Sequence, residues 1–152
     1  MALLGNLIWF VFLGGFWLWA GWVIAGCVMY VTIIGIPFGV ACFRIADVAA
    51  FPFGKEIVEA ELLGETRVWG TTVANILWCV LAGVWLAVGH LASAFLCLLS
   101  CLLVVPIFLG APAWAIANMR LAAVALAPLG KRVVSQSEAA AARVVRRSVA
   151  TS

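Results

Sequence analysis

Two long uncharged runs separated by one short charged run set the plan of this chain. Residues 1–43 and 68–119 contain no Asp, Glu, Lys or Arg, which leaves apolar blocks of 43 and 52 residues. A bilayer crossing needs about 20 predominantly apolar residues. Each block therefore has room for two passes, or for one long tilted helix followed by a re-entrant return. A lone strand inside lipid would leave its backbone groups unpaired, so helix is expected even through the β-branched stretch at residues 28–36.

The punctuation within the blocks is glycine and proline. Gly35-Ile-Pro37-Phe-Gly39 interrupts the first block, because Pro37 lacks an amide hydrogen and disfavours helical geometry at Ile36. A helical pattern resumes over residues 40–51, with Arg44 and Asp47 three apart and expected to neutralise one another. Pro52-Phe-Gly54 closes the element and Lys55 meets water. Trp9, Trp17, Trp19 and Trp22 crowd the first half of the block. On a continuous helix Trp9 and Trp22 would stand about 20 Å apart, one ring near each membrane face. Gly14, Gly15, Gly21 and Gly26 would let a neighbouring helix approach closely.

An internal repeat organises the rest. Asn6-x-x-Trp9 recurs as Asn75-x-x-Trp78 at an offset of 69, and Arg-Ile-Ala-x-Val-Ala-x-x-Pro-x-Gly-Lys at residues 44–55 recurs as Arg-Leu-Ala-x-Val-Ala-x-x-Pro-x-Gly-Lys at 120–131, an offset of 76. The second copy thus carries about seven extra residues, close to two helical turns. They fall where the first copy has its Gly-Ile-Pro-Phe-Gly. There the second copy reads Val-Val-Pro-Ile-Phe-Leu-Gly-Ala-Pro-Ala-Trp, with Pro106 and Pro112. After Lys131 and Arg132, Ser135 and Glu138 have capping-box spacing before a run of good helix formers. These landmarks divide the chain into a first repeat at 1–54, a polar connector at 55–72, a second repeat at 73–134 and a basic tail helix at 135–152. The connector, with four Glu, is expected to form an amphipathic turn or two around Ile57, Val58, Leu62 and Leu63.

Composition agrees with a lipid environment: 67% of the residues are hydrophobic and the mean hydropathy is +1.23, too little polar surface for a soluble domain of this size. The fold expected is an all-α integral membrane protein, with four transmembrane or re-entrant helical elements in two parallel repeats broken at Gly/Pro motifs. The unbroken apolar opening, without a basic start, reads as mature structure. Five cysteines lie in apolar segments without a CxxC, which favours packing roles over a metal or disulfide. No cofactor and no nucleic acid partner is implied. Lys131, Arg132, Arg143, Arg146 and Arg147 cluster near the C-terminus, so that end is expected on the cytoplasmic side of the plasma (inner) membrane, its charges at lipid headgroups.

The motifs Gly35-Ile-Pro-Phe-Gly39, Phe43-Arg44-x-Ala46 and Pro52-Phe-Gly-Lys55, answered by Ala-Asn-Met-Arg-Leu-Ala and Ala-Pro-Leu-Gly-Lys-Arg-Val-Val, resemble the YccF family, the inner membrane component domain. The likeness runs over nearly the whole length as two tandem copies, with Asn-x-x-Trp, His90 and Pro-x-Gly-Lys in order. It implies a small multi-pass membrane protein of bacterial inner-membrane type. The second copy departs from the pattern, since its Ile-Gly-Ile-Pro element is replaced and lengthened.

Candidate binding or pore residues follow from position. Gly35, Pro37 and Gly39 either line a site facing Gly110–Trp114 across the repeat axis, as half-helix ends do in transporters, or simply end a span at the interface. Arg44 and Arg120 are equivalent, and either mark a pathway or snorkel to headgroups. Asp47 accompanies only the first, and Asn118 is the expected partner of Arg120. His90, the one histidine, sits either at a wet turn between two spans or on a proton or anion path. No nucleophile-base pair or metal constellation points to an enzyme. The reading expected is a homo-oligomeric channel or transport-related protein of the bilayer, the alternative an accessory or scaffold subunit bound to a membrane-protein partner.

Overall fold

A computed structural model describes residues 2–103 and 111–150 of the chain. The first apolar block folds as helix α1 (Ala2–Phe12), helix α2 (Gly15–Val31), a 3-10 turn at Ile33–Gly35 and helix α3 (Ile36–Ala50). The second gives helix α4 (Thr71–Trp78), a π turn at Cys79–Gly83, helix α5 (Val84–Ser100) and, beyond a 3-10 turn at Cys101–Leu103, helix α6 (Ala111–Leu126). Strand β1 (Lys55–Glu59), a 3-10 turn at Ala60–Leu63 on the Leu62–Leu63 part of the expected connector turn, strand β2 (Lys131–Ser135) and the tail helix α7 (Gln136–Ala150) complete the order.

Both blocks interrupt their first helix at the same point, in different ways. Gly14 adopts φ 93°, a left-handed geometry open to glycine, and α1 meets α2 at a 78° bend. Gly83, 69 residues on, stays helical inside the π turn, so the stretch Thr71–Leu103 runs through 33 residues. The expected continuous helix from Trp9 to Trp22 is therefore broken. The two rings do not mark opposite membrane faces either, since Trp9 is 1% and Trp22 0% exposed. They are core residues.

Each block then folds back as an antiparallel hairpin, α2 on α3 and α5 on α6. The first hairpin closes through small residues. A side chain at Gly39 would stand 2.2 Å from the Tyr30 ring, and one at Gly35 would stand 2.4 Å from the Met29 carbonyl oxygen. Pro37 lies in the first turn of α3, where its missing amide hydrogen costs no helical bond. The Gly-Ile-Pro-Phe-Gly stretch thus starts a helix after a tight reversal. In the second block Pro106 and Gly110 lie outside the described residues. Pro112 takes the second position of α6.

Among the described residues two helical stretches, Ile33–Ala50 and Thr71–Leu103, are long and apolar enough to cross a membrane, or three if the bent pair α1–α2 counts as one span. Helix α6 is shorter, at 16 residues. The core between the hairpins holds Trp22, Ile45, Ala49, Trp78, Leu121 and Ala125, and a second cluster gathers Trp9, Cys97, Trp114 and Ala115.

The chain is not wholly helical. Residues 55–59 form no helical turn; they pair antiparallel with 131–135, Lys55 opposite Ser135 and Glu59 opposite Lys131. The β-branched Ile57 and Val58 face Val133 and Arg132, and paired extended segments satisfy each other's backbone groups. Ile57 stands opposite Val133, its own counterpart 76 residues on. The local twofold of this ribbon therefore passes between equivalent residues of the two halves. Helix α7 starts on the expected capping box: the Ser135 amide donates to Glu138 Oε2 at 2.8 Å, and the Glu138 amide to Ser135 Oγ at 3.2 Å.

Candidate functional site: a tryptophan-histidine core beneath a charged ribbon

The landmarks of the repeat carry paired hydrogen bonds. Asn6 accepts from the Phe53 amide at 2.9 Å and donates to the Phe53 carbonyl at 3.2 Å; Asn75 does the same to Leu129 at 3.0 and 3.2 Å. Trp9 Nε1 donates to the Ala49 carbonyl and Trp78 Nε1 to the Ala125 carbonyl, both at 2.8 Å. The last turn of a helix leaves carbonyls without intrahelical partners. Each indole caps one, which ties the first helix of its half to the end of the third. Both rings also reach the opposite half: Trp9 stacks on Trp114, and Trp78 on Phe38 and Trp22. Phe38 and Trp114 are again 76 apart.

At the centre lies His90. It occupies the middle of α5 and is completely buried, so the expected wet turn is replaced by a core position. Trp22 Nε1 donates to His90 Nε2 at 2.8 Å, and His90 Nδ1 lies 2.8 Å from Asn118 Oδ1. An accepting Nε2 leaves the proton on Nδ1, which donates to Asn118. Asn118 Nδ2 in turn donates to the Trp114 carbonyl at 3.0 Å. Asn118 serves this chain and not Arg120, its expected partner. The network links α2, α5 and α6 with every polar atom of the histidine ring bonded.

The charged residues gather around the ribbon. Asp47 pairs with Lys55 at 2.5 Å rather than with Arg44; Arg44 Nε instead donates to the Val40 carbonyl at 3.3 Å. Arg132 clasps Glu65 through two nitrogens at 2.6 and 2.8 Å, and Lys131 pairs with Glu59. Arg143 of α7 binds both carboxylate oxygens of Glu56, and this contact holds that carboxyl below its ordinary value. Lys131, Arg132 and Arg143 thus hold connector glutamates, while Arg146 and Arg147 lie on the exposed part of α7. Arg44 and Arg120 have no carboxylate within 4.0 Å among the described residues.

Of the expected site residues, Asn118 and His90 meet in the core, Gly35 and Gly39 close the α2–α3 hairpin, and Arg44 and Arg120 stand apart beside the ribbon. The indole caps and the Trp22–His90 bond were missed. The Asn-x-x-Trp recurrence signalled the caps, since a polar-edged pair repeated at one offset needs the same acceptor twice.

Apolar helices around a buried tryptophan-histidine core, with charge gathered around one ribbon, its connector and its tail, define a small helical membrane protein. The chain belongs to the YccF family: the family described as the inner membrane component domain matches residues 4–55 and 73–131. It is 36% identical over 143 residues to the inner membrane protein YccF of Escherichia coli K12, covering 91% of this chain and 90% of that one, and equally so to the protein of that name from Shigella flexneri. No solved structure matches.

Proposed function

We propose that this chain is a non-enzymatic, multi-pass inner-membrane protein that associates with copies of itself and provides a permeation path along the interface between them. Its four helical elements form two parallel repeats, and its C-terminus faces the cytoplasm. The observation that carries the reading is how the interior is filled. Trp9, Trp22, Trp78, Trp114 and His90 are each at most 1% exposed, so solute passage needs a space outside the single chain. The stretch Thr71–Leu103 leaves most of its surface uncovered, with 22% of its apolar window buried, and offers a long flank for a second copy.

The pairing of residues 55–59 with 131–135 supports a common side for the connector and the basic tail, as the distribution of Lys and Arg also does. Reconstitution tests the proposal. Chains that crosslink as oligomers in a native-like bilayer and conduct ions support it; chains that stay monomeric and pass no ion overturn it. A tag at residue 62 accessible from the face opposite a C-terminal tag overturns the topology.

A second reading, an accessory subunit of a larger membrane complex, is favoured by α7. Val144 and Val145 are 67% and 62% exposed there, an apolar pair that a partner could cover. One stoichiometric partner in native co-purification would favour this reading over self-association.

A further inference from the structure

Two grooves flank the ribbon, of about 470 and 590 Å³. Their helical walls are the same positions of the two halves: Pro37, Val40 and Arg44 in the larger, Ala113, Ile116 and Arg120 in the smaller, each pair 76 residues apart. Spacings of three and four place these side chains on one face, so each groove is an apolar track ending in a guanidinium. The ribbon sides differ. Where the smaller groove has Glu56, the larger has Arg132.

Ion pairing decides which charge is available. In the larger groove Glu59 is held by Lys131, Glu65 by Arg132 and Glu61 faces Arg67 at 4.0 Å. Among the described residues Arg44 is the cation left over, its side chain making one hydrogen bond, from Nε to the Val40 carbonyl. At the rim stands Trp69, 98% exposed beside Val68 at 76%. A bare indole next to an apolar neighbour suits the headgroup layer of a bilayer far better than water.

We propose that the Arg44 groove is a binding site for one anionic phospholipid, with the phosphate on the Arg44 guanidinium, an acyl chain along Val40 and Pro37, and Trp69 at the glycerol level. Guanidinium presents a planar pair of donors that matches two phosphate oxygens. The Arg120 groove is the weaker counterpart: its Glu56 is already held by Arg143, but no tryptophan lines it among the described residues as Trp69 lines the larger groove. This site is independent of the permeation reading and stands or falls without it.

The test is lipid retention by the full chain, purified in mild detergent with phosphatidylglycerol or phosphatidylcholine and examined by native mass spectrometry. One phosphatidylglycerol per chain is expected to persist, with phosphatidylcholine lost. Arg44→Gln is expected to lower retention about fivefold, the scale of one basic residue at an anionic lipid surface, whereas Arg146→Gln, with the same change in net charge, leaves it intact. Val40→Trp, which fills the acyl track without altering charge, is expected to lower retention as well and keeps the test open should Arg44→Gln fail to fold. Undiminished retention in Val40→Trp or Arg44→Gln, equal loss in Arg146→Gln, or displacement of the lipid by inorganic phosphate at matched concentration would each overturn the proposal.

Discussion

Trp22 donates its indole hydrogen to Nε2 of His90 across 2.8 Å, with the histidine completely buried. That bond leaves His90 neutral with its proton on Nδ1 and joins the first hairpin to the second. Trp22→Phe keeps an aromatic ring but removes the donor and part of the ring volume, so a buried acceptor is left unsatisfied beside a small cavity. Destabilisation of about 1–3 kcal/mol is expected, read as a lower unfolding midpoint in detergent. His90→Phe, by stranding both Trp22 and Asn118, should lose more than Trp22→Phe.

The indole caps at Trp9 and Trp78 make the same bond at the same length. Trp9→Phe and Trp78→Phe should therefore cost similar amounts, about 1–3 kcal/mol each for the buried carbonyl left unsatisfied. Thermal unfolding of the two variants side by side checks this. A wide disparity would mean that the bonds are alike in geometry but not in burial or packing consequence.

Gly83 and Gly89 sit on the same long helical stretch but differ in what lies opposite. A side-chain carbon at Gly83 would stand 2.7 Å from the Ala125 carbonyl oxygen, whereas one at Gly89 would find Leu18 at 3.8 Å. Gly83→Ala is expected to lose about 1–3 kcal/mol through overpacking. Gly89→Ala should be neutral or gain up to about 1 kcal/mol from helix propensity.

The clasp of α7 on the ribbon is pH-dependent in a definite direction. The hydrogen bond from Arg143 lowers the Glu56 carboxyl below its ordinary 4.5, against a smaller opposing effect of burial. A lowered value in the folded chain stabilises above the ordinary carboxylate range, and that contribution fades as pH falls through the lowered value. The protection factors of the α7 amides, which correct exchange for its intrinsic pH dependence, should fall on acidification below about pH 4.5. In Glu56→Gln protection should be low already at neutral pH and insensitive to acid over that window.

The lipid setting, the two blocks, the repeat offsets and the α7 capping box were readable because each is a local pattern: charge-free length, recurring motifs, Ser135 followed by Glu138. The ribbon was not. Ile57 and Val58 lie among glutamates in a short segment whose strand character comes from pairing with residues 76 positions away, and local composition cannot encode a partner. His90 was misplaced for a related reason. Gly89 before it suggested a turn, yet the residue is fixed by Trp22 and Asn118, 68 and 28 positions distant. Arg44 and Asp47 show the opposite failure, since helical spacing alone favoured a pair that Lys55 breaks by offering Asp47 a nearer cation.

The opposition of Ile57 and Val133 also has a consequence for how the chain is made. When the ribosome has finished β1, its pairing strand is still some 70 residues from synthesis. At about 5–20 residues per second, the wait is several seconds. During that interval Trp9 lacks its stacking partner Trp114 and the Trp22 indole lacks its acceptor His90, so the half-built chain presents one polar indole edge and an open strand. The core between the hairpins can therefore close only after the second half has been made.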